Sequence, residues 1–336
     1  MYARLKLMLG TWLTLAGCIA IPAMAAPATV SATHSTLQEQ LERLAQRAQP
    51  GRLGIAVLDL QSGATWQVNA AQAYPMMSVF KAPVAAAVLD QVDHGTLSLE
   101  QMVTVTRAEL TAGSAVPSIG THFQGERMRF SVRQLLVAAV SESDNTAVDA
   151  LLRLLGGPAV VTRFLRGHGI EGMRVDLDEA AVGRLFEQMA PGQSPPLDET
   201  EPVQLARLQR GYQAYLTDPR NRSTPQGAVD FLRKLWDGQL VSATSSRYLL
   251  ALMNAQTVPH RLRDGLPTGA ALADKCGTSY NLKGRTAAYN DIGIVHWPDG
   301  RAVIVAAFLT DSTATLAQRD ALFAELARDV VQSLHP

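Results

Sequence analysis

The chain has 336 residues, 47% of them hydrophobic and 18% charged, which allows a large buried core and excludes a disordered or fibrous protein. Thirty Lys and Arg residues balance thirty Asp and Glu residues, so no overall field draws the protein to nucleic acid or to an anionic membrane. The partner to expect is a small molecule, and the chain itself is expected to be a monomer.

The first 25 residues follow a secretory plan. Arg4 and Lys6 open it, an apolar run extends from Leu7 to Ile21, and the small-residue pattern Ala23-Met24-Ala25 precedes Ala26. The run is too short to span a bilayer comfortably. It reads as a signal cleaved after Ala25, which predicts a periplasmic or secreted protein. Leu15-Ala16-Gly17-Cys18 offers a competing cleavage, since it resembles a bacterial lipoprotein box that leaves a lipidated Cys18. The second cysteine is Cys276, so a chain cleaved after Ala25 has no intramolecular disulfide.

Residues 27–34 are small and polar and read as a linker. In Thr36-Leu37-Gln38-Glu39 the threonine is placed to cap a helix, and Leu37, Leu41, Leu44 and Ala48 follow at helical spacing. Two strands are predicted at about 52–60 and 64–69 around Ser62-Gly63. From about 82 to 240 the pattern is mostly helical, with buried helices at 131–140 and 146–155 joined by the polar corner Ser141-Glu142-Ser143-Asp144-Asn145. Between 184 and 225, six prolines break any long element, and helix returns at Pro225. The last part alternates short apolar runs with turns. Strands are predicted at 272–278, 291–295 and 302–308, the last two flanking Pro298-Asp299-Gly300, and a helix closes the chain from Leu316 to Leu334.

The simplest assembly is an antiparallel five-stranded sheet built from both chain ends with flanking helices. This α/β lobe would comprise residues 35–92 and 233–335. An all-helical lobe, residues 93–232, would be inserted between its strands.

Three short stretches carry chemistry. Ser78 and Lys81 share one helix face, so an amine can lie beside a hydroxyl. Taken singly, each stretch has an ordinary reading: a chance helical pair, a helix cap at Ser143-Asp144-Asn145, and a strand ending at a glycine in Lys275-Cys276-Gly277-Thr278. Together, in this order and each at the end of a buried element, they resemble the Ser-x-x-Lys, Ser-Asp-Asn and Lys-Thr-Gly motifs of the class A serine β-lactamases and their penicillin-binding relatives. The resemblance runs from about Thr36 to Leu334. It implies an active site between the two lobes.

The resemblance implies a role for each residue. Ser78 is the nucleophile on the lactam carbonyl, and it needs a base at neutral pH. Lys81 is the expected base. The backbone N–H groups of Ser78 and Thr278 hold the oxyanion, Ser143 passes a proton to the leaving nitrogen, and Asn145 binds the amide side chain. Lys275 and Thr278 meet the substrate carboxylate. Gly277 belongs to the same motif, as does Cys276, which stands where threonine is usual and offers a weak-donor thiol. The water that releases the acyl group needs a glutamate on the loop after the second motif. Glu179 is the candidate, with a solvated loop residue as its ordinary reading; Glu187, Glu199 and Glu201 are rivals.

Several departures from the family stand out. Gly183 replaces an asparagine beside the water, and Leu177 and Asn221 stand where an arginine and an aspartate form the ion pair that pins the loop. An insertion falls at about 184–217. The connection from Lys275 to Asn290 is long, and Arg285 on it either reaches the substrate carboxylate or is an ordinary surface arginine. Seven histidines show no metal-ligand spacing, so neither metal nor cofactor is expected. The function implied is β-lactam hydrolysis through an acyl-serine. The alternatives are a DD-peptidase or esterase of the same fold, or a non-hydrolytic sensor of β-lactams or peptidoglycan.

Overall fold

The computed structural model describes residues 28–258 and 260–335, with side chains from Thr36 onward. The leader and Cys18 lie outside the described residues. Helix α1 runs over Ala28–Arg47, so Thr36 is inside it and the expected cap and linker are not there. No glycine or proline interrupts residues 28–47, and a capping box is a local option that helix propagation overrides. Leu37, Leu41 and Leu44 are buried, as their spacing predicts.

The remaining elements follow in chain order. Strands β1 (Arg52–Asp59), β2 (Thr65–Val68) and β3 (Tyr74–Pro75) lead to a 3-10 turn at Met77–Phe80 and helix α2 (Lys81–Asp93). A hairpin of β4 (Met102–Thr106) and β5 (Arg127–Ser131) encloses the short α3 (Ser118–Thr121). Helices α4 (Val132–Val140), α5 (Asn145–Leu155), α6 (Ala159–Gly167), α7 (Glu179–Glu187) and α8 (Glu201–Thr217) come next. Then β6 (Arg222–Ser223), α9 (Pro225–Trp236) and α10 (Ala243–Asn254) lead back to the sheet. It is completed by β7 (Ala271–Thr278), β8 (Asn281–Leu282), β9 (Arg285–His296) and β10 (Ala302–Ser312), and α11 (Leu316–Leu334) closes the fold.

The sheet is antiparallel in the order β2-β1-β10-β9-β7, joining both ends of the chain, with Ala56 opposite Ala306. A sixth strand departs from the expected five: β8 folds back on the start of β9, Leu282 opposite Arg285. The turn between them uses left-handed Lys283 and Gly284, at φ 49° and 76°. Alternation along β1 sorts side chains to two cores. Ile55 and Val57 pack with α1 and α11, whereas Ala56 and Leu58 face a larger core shared with α2, α4, α5, α9 and α10. That inner core is continuous from the sheet into the helices.

Two parts of the middle differ from the sequence reading. The β4–β5 hairpin lies where helix was expected; Val103 and Val105 alternate inward, a period-2 signal too short to stand out without its distant partner. Helix α8 is long despite the prolines around it, because Pro202 occupies its first turn, where no N–H is required. It packs closely on α7: a Cβ at Gly211 would lie 1.8 Å from the Phe186 carbonyl oxygen, and the Phe186 and Tyr215 rings meet at 4.2 Å.

Candidate active site

Ser78 lies in the 3-10 turn, where residues three apart eclipse, so Lys81 at the start of α2 stacks beneath it. The turn is fixed from both sides. Asn290 on β9 donates from Nδ2 to the carbonyls of Pro75 (2.8 Å) and Met76 (3.0 Å), and Met76 N–H donates to Asn221 O at 3.0 Å. Met77, just before the serine, is held left-handed at φ 46°. For a residue with a Cβ this is a costly backbone, tolerated here because the surroundings over-determine it.

Lys81 is fully buried. Its Nζ donates to Asn145 Oδ1 at 2.6 Å and to the Ser143 carbonyl at 2.7 Å, lies 3.4 Å from Ser143 Oγ, and forms an ion pair with Glu179 Oε1 at 3.2 Å. The same carboxylate oxygen accepts from Ser78 Oγ at 3.3 Å. The structure therefore differs from the expectation that Lys81 is the base nearest the nucleophile. The serine hydroxyl points to Glu179, and Lys81 links Glu179 to Ser143.

The polar corner forms because Asp144 caps α5, accepting from Ala147 N–H at 2.8 Å and Ile119 N–H at 3.1 Å. This leaves Ser143 left-handed at φ 59° with its hydroxyl between two amines: Lys275 Nζ at 3.1 Å and Lys81 Nζ. Asn145 is tied to the preceding loop through Ala112 O (2.7 Å) and Ser114 Oγ (2.8 Å).

Strand β7 is the free edge of the sheet on this side. Ser279 N–H donates inward to Ala288 O, so by the alternation of an antiparallel ladder Thr278 N–H points outward, toward Ser78. Glycine at 277 permits the approach. A Cβ there would lie 2.5 Å from Met76 O and 3.1 Å from Ser78 N. The two N–H groups can thus converge on one oxyanion.

Lys275 is fully buried, and its pKa is lowered to about 8 by that burial, with Lys81 and Arg261 adding to the depression and Cys276 and Asp274 opposing it. Gln256 Oε1 holds its Nζ at 3.1 Å and accepts from the Cys276 thiol at 3.2 Å. Cys276 lines the cleft, yet its sulfur is engaged with Gln256. Arg285 pairs with Asp311 on the outside, Nε to Oδ1 at 3.0 Å, and does not line the cleft around Ser78. The guanidinium beside Thr278 is instead Arg261. It is buried, donates to Thr278 Oγ1, and stacks 4.1 Å from the Tyr289 ring centroid.

Glu179 opens α7, which Asp178 caps by accepting from Ala181 N–H at 2.6 Å. The loop before it holds an internal ion pair, Arg174 Nε to Asp176 Oδ2 at 2.7 Å, and is fastened to the next segment by hydrogen bonds from Asn221. Asn221 Oδ1 accepts from Asp176 N–H (2.7 Å) and Leu177 N–H (2.9 Å), and its Nδ2 donates to Leu177 O at 2.9 Å. Asp149 adds a second clamp, taking Glu179 N–H at 2.8 Å and Ala180 N–H at 3.0 Å. Burial, then the Asp178 and Glu179 carboxylates, raise its pKa to about 7. Among the rivals, Glu199 is bound to Arg207 (Nε to Oε1, 2.9 Å), while Glu187 and Glu201 are exposed; none touches Ser78. At Gly183 an added Cβ would meet nothing within 4 Å, leaving open space beside Glu179.

Sequence reasoning missed Arg261, Gln256 and Asp149. Asp149 carried a signal, since it lies four residues after Asn145 and so on the same face of α5. The other two reach the site from the segment between α10 and β7, where nothing local marks them.

A sheet edge facing a helical lobe, with a serine whose proton has a carboxylate acceptor and whose N–H has a partner donor, defines a serine hydrolase that works through an acyl-serine. The chain belongs to the β-lactamase enzyme family, whose model matches residues 36–334. It is 34% identical over 303 residues to the extended-spectrum β-lactamase PER-1 of Pseudomonas aeruginosa, covering 90% of this chain and 88% of the relative. The β-lactamase of Streptomyces albus G is 32% identical over 292 residues, covering 86% and 82%. Among solved structures, a β-lactamase from Chitinophaga pinensis superposes with a TM-score of 0.74 at 32% identity, covering 88% of this chain and 98% of the other. An ancestral class A β-lactamase gives 0.72 at 34% identity, covering 89% and 100%. No helix among the described residues is long and apolar enough to cross a membrane.

Proposed function

We propose that this protein hydrolyses β-lactam amides through an ester on Ser78. The observation that carries the reading is Glu179 Oε1, within reach of both Ser78 Oγ (3.3 Å) and Lys81 Nζ (3.2 Å). In acylation the Ser78 oxygen bonds to the lactam carbonyl carbon and its proton passes to Glu179. Lys81 relays a proton from Glu179 to Ser143, whose hydroxyl protonates the lactam nitrogen as the C–N bond breaks. The N–H groups of Ser78 and Thr278 stabilise the tetrahedral oxyanion, a contribution of about 3 kcal/mol per donor. Glu179, again a carboxylate, then takes a proton from water as it attacks the ester, and returns that proton to the Ser78 oxygen as the C–O bond breaks and the acid is released.

The remaining residues bind substrate. Asn145 meets the acylamino group, Lys275, Thr278 and Arg261 meet the carboxylate, and Cys276 and Gly277 complete the strand edge. The domain division at about 93 and 232, cleavage after Ala25 with export, and a monomeric state belong to the same proposal.

The test is turnover of a chromogenic cephalosporin together with mass spectrometry of the intact protein. Steady turnover with a transient adduct on Ser78 is expected. One burst of labelling without turnover would instead identify a peptidase-like or sensor protein.

A further inference from the structure

A cavity of about 340 Å³ opens between the end of α6, residues 171–174, the end of α8 and β6, and Ser78 does not line it. Three guanidinium groups do, those of Arg166, Arg174 and Arg222. Two are already paired. Arg166 Nε meets Glu171 Oε2 at 3.0 Å, and Arg174 holds Asp176 through Nε (2.7 Å) and Nη2 (2.9 Å). Asp218, also on the wall, is held by Arg220, Nη2 to Oδ2 at 2.6 Å. Four guanidinium groups thus meet three carboxylates, and Arg222 is left over: among the described residues it has no carboxylate within 4 Å.

Arg222 is also the buried member of the group, whereas the other three side chains are 33–47% exposed. Its Nε donates to Asp218 O at 2.6 Å and its Nη2 to Tyr215 O, which uses two of five donors; among the described residues Nη1 has no acceptor. Burial lowers its pKa from the usual arginine value, Tyr215 and Asp218 oppose the shift, and Arg52 adds to it. A buried cation without a counter-charge is costly, and folded proteins ordinarily pair it.

The cavity wall is also the base of the loop that carries Glu179. Arg174 N–H donates to Arg222 O at 2.9 Å and Thr224 N–H to Gly172 O at 2.8 Å, so residues 172–174 lie along β6. Glycine permits that approach, since a Cβ at Gly172 would lie 2.4 Å from Thr224 Oγ1. Asn221, which holds the N–H groups of Asp176 and Leu177, directly precedes Arg222.

We propose that this cavity binds a tetrahedral oxoanion, phosphate or sulfate, which supplies the counter-charge of Arg222 and braces the base of the Glu179 loop. The anion accepts from Arg222 Nη1 and from the remaining N–H groups of Arg166 and Arg174, whose planar forks suit its oxygens. No step of the proposed hydrolysis passes through it.

The experiment follows thermal unfolding of the protein as inorganic phosphate rises from about 0.1 to about 30 mM, with sodium chloride holding the ionic strength constant so that screening of surface charge is fixed. The midpoint should rise by about 3 °C, with saturation. Arg222→Gln and Arg166→Gln should each lose at least about half of the rise. Arg166 is on the rim, so its variant keeps the test available if Arg222→Gln does not fold. At saturating phosphate, amide hydrogen exchange over residues 172–177 should slow by about fivefold in wild type. A rise that does not saturate, or one that persists undiminished in the variants that fold, would be the general effect of an excluded anion and would overturn the site. Saturable binding with unchanged exchange over 172–177 would overturn the bracing. Glycerol 3-phosphate in place of phosphate separates two sources of the anion: an equal rise assigns the site to phosphomonoesters and no rise assigns it to the free ion, and either result supports oxoanion binding.

Discussion

Ser78 Oγ lies 3.3 Å from Glu179 Oε1, although 101 residues separate them in the chain. That one contact joins the nucleophile on the sheet side to the carboxylate on the loop. In the proposed mechanism both half-reactions depend on it. Ser78→Ala should abolish covalent labelling by penicillin, and a surviving adduct would place the nucleophile elsewhere. Glu179→Gln should lower turnover by about 10²–10⁴-fold and slow both formation and decay of the adduct, because a general base contributes on that scale. Intact-protein mass spectra over time distinguish the two variants.

In the proposed mechanism Lys275 carries the charge for the substrate carboxylate, and its pKa of about 8 sets an upper limit in pH. As pH rises through that value the ammonium is lost, so KM should increase above about pH 8. Lys275→Arg keeps the charge and should remove the upturn, although the changed shape raises KM at every pH. A KM profile from pH 6 to 10 for both proteins decides it.

Asp149 makes the stability pH-dependent. Its pKa is raised from 3.8 to about 7 in the fold, so the native state binds the proton more tightly than the unfolded chain does. The stabilisation is fully present below about pH 3.8 and is lost as pH rises through 7. One edge faces a cavity between α5 and α7, which screens the effect to on the order of 2 kcal/mol. Asp149→Asn lacks this titration. Relative to wild type it should therefore gain about 1 kcal/mol between pH 5 and pH 8 in urea unfolding.

Asn221 replaces an ion pair with three hydrogen bonds to the backbone of Asp176 and Leu177, from a left-handed backbone at φ 49°. Asn221→Ala should cost about 2–3 kcal/mol, through lost hydrogen bonds and a backbone that alanine tolerates poorly. Because that loop carries Glu179, deacylation should slow more than acylation. Chemical denaturation and single-turnover adduct decay measure the two effects separately.

Cys276→Thr exchanges a weak donor engaged with Gln256 for a hydroxyl at the carboxylate end of the cleft. One additional hydrogen bond is worth about 1 kcal/mol, so KM for carboxylate-bearing lactams should fall about fivefold. An unchanged KM would mean that the hydroxyl also turns to Gln256.

The strands of the sheet and the closing helix were legible because their apolar periodicity is local and their turns carry Gly, Pro and Asp. The β4–β5 hairpin was not, since the pairing of Val103 with Phe130 depends on a partner across a long loop. Nor was α8, where Pro202 reads as a breaker until it is known to occupy a first turn. In the site, Ser78, Lys81, Ser143, Asn145, Lys275 and Gly277 stood out as ordered motifs. Arg285 looked as eligible for the cleft as any arginine, and the fold pairs it with Asp311 and brings Arg261 to Thr278 instead.

The amino-acid sequence by itself determined the family, the candidate nucleophile and the order of the three motifs, since each of these depends on residue identity over a few positions. Tertiary structure alone decided which base meets Ser78, what holds the Glu179 loop, and that Arg166, Arg174 and Arg222 line one cavity. Each of these depends on a distance between segments remote in the chain. Local pattern restricts backbone angles and burial, but hydrogen bonds and contacts fall off within a few ångströms, so only the packed fold selects them.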